Sequence, residues 1–165
     1  MVVRCTQRTL DLLGRHVTLS ELAPTEDDWY LNLFWIARQK CLLLTHAGTL
    51  FSIFRAPIRI ADLRPIGATL AALIQTELRT EGLPADTFSE LQAETLRVAK
   101  TKSRRTLGHM TQMAFEVEHI AAQARGLEHA DIADLNHWLR HSLRNHRGTH
   151  VHPIDLVRQR LATRP

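Results

Sequence analysis

Hydrophobic positions along this chain repeat with two different periods, and the periods divide it into strands and helices. The clearest strand signal runs from Trp29 to Phe54. Trp29 to Ile36 is rich in aromatic and branched residues, and Ala37-Arg38-Gln39 turns it. Lys40 to Thr45 runs back, His46-Ala47-Gly48 turns again, and Thr49 to Phe54 makes a third pass. This pattern predicts an antiparallel meander. Its aromatics Trp29, Phe34, Trp35, Phe51 and Phe54 read as core and cross-strand pairs. They do not read as a base-stacking platform, because basic residues are not interleaved with them as such surfaces require. Val2 to Thr6 predicts an opening strand. Leu96 and Val98, alternating with Arg97 and Ala99, predict a later one.

Spacing by threes and fours marks the helices. The longest carries Leu107, Met110, Ala114, Val117, Ala121 and Ala124 on one stripe, with Met113 and Ile120 beside it, and Ser103 is placed to cap its start. Leu10, Leu12 and Leu13 suggest a short helix closed by Gly14. Leu63, Ile66, Leu70, Leu73 and Ile74 define another, stopped by Gly82 and Pro84, and Asp86 is placed to cap a shorter one with Phe88 and Leu91. Asp131 would cap a helix whose buried line is Ile132, Leu135, Leu139 and Leu143, with Trp138 alongside. Pro153 would open a closing helix with Ile154, Leu156, Val157 and Leu161. The expected fold is α+β in a single domain over residues 1–165: a small antiparallel sheet, made of the meander, the N-terminal strand and one later strand, covered by about five helices.

Composition narrows the class. With 44% apolar and 23% charged residues in a chain of 165, a core forms without disulfide or metal staples. No apolar run reaches the length of a membrane span, and Met1-Val2-Val3-Arg4 does not open a signal peptide. Cys5 and Cys41 each fall inside a predicted strand and read as buried free thiols, which points to a cytoplasmic location. The net charge of +4 is unevenly divided: residues 1–96 contribute −2 and residues 97–165 contribute +6. Such asymmetry favours an anionic partner.

That excess includes a basic turn, Lys100-Thr101-Lys102-Ser103-Arg104-Arg105, placed where the longest helix begins. A helix N-terminus already carries about half a positive charge, so cations in its first turn are disfavoured by roughly 0.3–1 kcal/mol each. No carboxylate follows until Glu116. A phosphate at the free helix amides, held by Lys100, Lys102, Ser103, Arg104 and Arg105, would convert the repulsion into attraction, with Arg140, Arg144 and Arg147 as helpers. The plainer alternative is that these side chains are solvated or paired within the fold. Three placements of the turn separate the readings: on a broad positive face, in a cleft beside a histidine, or against the acidic loop 26–28.

Four motifs occur in a fixed order: Arg4-Cys5-Thr6; Trp29-Tyr30-Leu31-Asn32-Leu33-Phe34; Lys40-Cys41-Leu42-Leu43-Leu44-Thr45 with Thr49-Leu50-Phe51-Ser52; and Lys100-Thr101-Lys102-Ser103-Arg104 with Leu107-Gly108-His109-Met110. In this order the chain resembles a family of small bacterial proteins known only as a domain of unknown function. The resemblance implies one domain and brings no reaction, cofactor or partner with it. The chain departs from the pattern at His109-Met110-Thr111, where a smaller residue before Met and an Asn after it would be expected.

Other chemistry is thin. His137 and His141 are four apart on a predicted helix, and His150 or His152 could join them at a metal. Yet Trp138 stands where a catalytic glutamate would be in HExxH, and Arg140, Arg144 and Arg147 would repel a dication, so solvated histidines are the preferred reading. Asp27 and Asp28 read as a solvated loop, and His119 with Glu116 as a surface pair. No nucleotide or hydrolase motif is present, and neither a catalytic residue nor a cofactor is assigned. Three functions remain: a non-catalytic module binding nucleic acid or another polyanion, a regulatory subunit docking an acidic protein, and an enzyme acting on a phosphorylated or nucleotide substrate.

Overall fold

The computed structural model describes residues 1–14, 19–88 and 96–163. The order of elements is β1 (Val2–Cys5), α1 (Gln7–Leu13), β2 (Trp29–Ile36), β3 (Gln39–His46), β4 (Ser52–Arg55), α2 (Ile66–Thr80), β5 (Arg97–Lys100), α3 (Arg104–Gln123), α4 (Ile132–His141), β6 (Arg144–His146), β7 (Thr149–Val151) and α5 (Pro153–Ala162). The α+β class holds. The predicted caps act as expected: the Ser103 hydroxyl accepts from the Thr106 amide, Asp131 accepts from Ala133 and Asp134, Gly14 closes α1 at φ 75°, and Pro153 opens α5. The helix predicted to carry Leu91 falls on residues outside those described.

The sheet corrects the expectation of an antiparallel one. Its order is β4-β3-β2-β1-β5, and β2, β3 and β4 form the meander. β1, however, is inserted between β2 and β5 and runs parallel to both. The sheet is therefore mixed. Each parallel connection spans many residues, as a crossover must.

Both faces are covered. On one side Val3, Cys5, Trp29, Leu31, Leu42 and Leu44 meet residues of α1, α2 and α5; on the other Tyr30, Cys41, Leu43 and Phe54 meet α3 and α4. Burial on two sides explains the unbroken Leu42-Leu43-Leu44 run, which a sheet with one wet face would not tolerate. Cys5 and Cys41 are buried on opposite faces, so they are free thiols, pushed up to about 12 and about 11 by the loss of water. Trp35 departs from the core reading: it is partly exposed opposite Lys40, with the Arg8 and Lys40 cations over its ring. Leu143 lies beyond α4 and is exposed.

The small hairpin β6–β7 carries no apolar alternation and was not expected. Its two-residue turn, Arg147-Gly148, has φ 55° and 83°, the left-handed pair that closes a tight hairpin. No helix is long and apolar enough to cross a membrane among the described residues.

Candidate functional site

The basic turn is built from below by one buried arginine. Arg4 in the central strand β1 is fully buried and ion-pairs with Asp28. Its remaining donors reach the Lys100 carbonyl at 3.1 Å and the Leu22 and Ala23 carbonyls at 3.0 and 2.7 Å. Asp28 is thus not a solvated residue, as its loop position suggested, but the counter-charge that permits Arg4 to be buried. Breaking such a pair would cost about 3–5 kcal/mol. Arg4 holds the end of β5, where the turn begins, against the loop before β2. From the next strand the buried Tyr30 phenol meets the Ser103 and Thr106 hydroxyls, fixing the first turn of α3 on the sheet.

Above this support the cations point outward. Lys100, Lys102, Arg104 and Arg105 are exposed. Among the described residues Lys100, Lys102 and Arg104 form no ion pair. Lys100 and Lys102 line a recess of about 250 Å³ with Leu19, Ser20, Leu22 and one carboxylate residue, Glu21. Ser103 is occupied as the cap, its hydroxyl also 3.0 Å from that of Thr106.

Arg105 behaves differently. It leans toward Glu26 at 3.9 Å, and Arg147 from the β6–β7 turn takes the same carboxylate at 2.7 Å. All three side chains are about half exposed, so these pairs contribute at most about 1 kcal/mol. Gly48 allows this arrangement: its amide donates to the Glu26 carbonyl at 2.8 Å, and a Cβ there would stand 2.8 Å from that oxygen. The acidic loop is thereby held beside the basic residues, with Asp27 taken by Arg160 at 2.6 Å.

The turn therefore partly meets the acidic loop and partly faces solvent. Two histidines that the sequence did not place at the turn adjoin Arg105. Burial pushes His109 down, and Arg105 and Arg144 push it further. His146 is lowered by burial, Arg105 and Arg147, against the opposing pull of Glu26. Both shifts favour the neutral imidazole beside the lysine and arginine charges.

Two predicted helpers lie elsewhere. Arg140 is fully buried, bound to Glu77 and Glu81 at 2.8 Å each. Arg144 is buried against Glu116 and stacked on Trp138. Neither guanidinium lies at the surface; of the three, Arg147 lies beside the turn, sharing Glu26 with Arg105. Nor do Glu116 and His119 pair: Glu116 serves Arg144 and Gln112, and His119 contacts Gln123.

A search of curated proteins finds no match to the chain. The sequence profile of one family, Domain of unknown function (DUF6933), matches residues 2–156, a span that includes the meander, the basic turn and all of α3 and α4. With nearly its whole length matched, the chain belongs to the DUF6933 family.

Proposed function

We propose that the protein is a non-catalytic binding module that engages nucleic-acid phosphates through Lys100, Lys102, Arg104 and Arg105, with Arg147 at the edge of the surface. One observation carries this reading. Three cations without a carboxylate partner among the described residues stand at the positive end of a 20-residue helix, on a support of fully buried residues. Lysine and arginine at such a terminus are electrostatically unfavourable until an anion arrives. The free, buried thiols agree with a cytoplasmic setting, where nucleic acid is available.

Binding of a labelled duplex oligonucleotide to the K102A/R104A/R105A variant tests the proposal. The expected result is a loss of at least about tenfold in affinity, with no loss in a control variant at the exposed Arg38 of the β2–β3 turn. Equal binding by the wild type and both variants would remove the reading.

A second reading, docking of an acidic protein, draws on a different feature of α3. Phe115 is 70% exposed on that helix, and Leu143 is 56% exposed after α4. Exposed apolar side chains of this size suit a protein surface better than a phosphate backbone. Recovery of one protein at fixed stoichiometry after nuclease treatment would favour it.

A further inference from the structure

The histidines of α4 acquire a third partner that their spacing does not reveal. His137 and His141, one turn apart, stack with ring centroids 3.9 Å apart, and both face Glu81 at the C-terminal end of α2. Glu81 Oε2 lies 2.9 Å from His141 Nε2, and Oε1 lies 3.6 Å from His137 Nδ1. All three ligand atoms fall within 4.8 Å of one another. Ligands about 2.0–2.2 Å from a tetrahedral zinc stand roughly 3.4 Å apart, so small side-chain rotations would bring these to coordination distance. His150 and His152, the third ligands the sequence offered, are not part of the group: His150 is exposed on β7, and His152 Nδ1 donates to the His141 carbonyl at 2.6 Å.

The charges at this point are incompletely matched. Glu77 has both oxygens served, one by Arg55 at 2.9 Å and the other by Arg140 at 2.8 Å. The Glu81 side chain is equally buried, at 6% exposure, and has one arginine, the other side of the same guanidinium, while its second oxygen meets His141. The guanidinium contact is 2.8 Å long but misaligned, leaving Oε1 without a hydrogen bond. Glu81 also sits at the negative end of the α2 dipole, which adds to the demand for positive charge. The repulsion expected from Arg140, Arg144 and Arg147 is offset in part, because each is ion-paired within the fold, with Glu77, Glu116 and Glu26.

We propose that Glu81, His137 and His141 bind one divalent cation of the zinc class, with Arg140 orienting the carboxylate from behind and water completing the coordination. Two imidazoles and a carboxylate are the donor set such ions favour over calcium or magnesium. The ion would tie the end of α2 to α4 and engage the Glu81 oxygen that has no hydrogen bond.

Protein prepared without a polyhistidine tag and stripped with chelator would be titrated with Zn²⁺ alone by calorimetry. Co²⁺ absorption would report the donor set. One ion per chain is expected. Affinity should fall by at least about tenfold in H137A, H141A and E81Q, the scale on which even supporting contacts alter metal binding. H150A should bind as the wild type does. His137 is 63% exposed, so H137A removes a donor without threatening the fold. Absence of saturable one-to-one binding, or unchanged binding and an unchanged Co²⁺ spectrum in H137A/H141A, would overturn the proposal.

Discussion

His46 shows how far a single side chain can depart from what its position in the sequence suggests. It ends β3 at an apparent turn, yet it is fully buried, edge-on to Trp29 and tilted against Phe88, with Nδ1 3.0 Å from the Thr49 hydroxyl. Burial lowers it to about 3, with Arg160 adding to the shift and Asp28 opposing it. An unfolded histidine takes its proton near pH 6.5, whereas His46 in the fold resists until about pH 3, so between these values the unfolded chain binds more protons. The stabilisation is complete above pH 6.5 and is lost as pH falls, by about 1.4 kcal/mol per pH unit from this one residue. His109 and His146, also lowered, act in the same direction. Urea unfolding between pH 7 and pH 4.5 should show falling stability, and H46F should show a shallower fall. An identical pH slope in the variant would refute this account of His46.

At the scale of elements, α4 does more than cover a face. Asn136 is buried, and its side chain accepts from the Phe54 amide at 2.6 Å and donates to the Phe54 carbonyl at 3.1 Å. Phe54 lies in β4, the edge strand, so the helix completes hydrogen bonding that a sheet edge leaves open. N136A would strand both groups, and a loss of about 2–4 kcal/mol is expected by chemical denaturation; a loss below about 1 kcal/mol would contradict that role. The β6–β7 turn gives a second prediction. Arg147 holds φ 55°, where asparagine is more comfortable, while reaching Glu26 at the rim of the basic surface. R147N should leave the urea midpoint unchanged or raised yet weaken oligonucleotide binding. A clear loss of stability would instead assign Arg147 a structural task.

These elements also show what the sequence could disclose. Caps and turns depend on neighbours a few residues away, which is why Ser103, Asp131, Gly14 and Pro153 were legible. The direction of β1 depends on strands far along the chain, and an apolar run carries no sign of direction. The β6–β7 hairpin, Arg-Asn-His against Thr-His-Val, has no alternation to read. Arg140 and Arg144 read as surface cations in the sequence because their carboxylates, on α2 and α3, are distant along the chain. The same separation concealed Glu81 behind the histidines of α4.

For the whole molecule, the charge asymmetry takes a definite form. Part of the positive excess after residue 96 is spent internally, with Arg140, Arg144 and Arg160 tied to acids of the fold. The cations that stay outward include Arg97, Arg125 and Arg158, and, grouped together, the turn that Arg4 and Tyr30 hold in place with Arg147 beside it. The central proposal is that this turn meets phosphate. Its most direct test is the dependence of oligonucleotide affinity on salt, measured for the wild type and for K102A/R104A/R105A. With four contacts at about −0.9 each on a duplex, the logarithm of the association constant should fall against that of salt with a slope of about −3 to −4, and the variant should be shallower by about 2 to 3. A slope near zero, or one shared by the two proteins, would contradict the account.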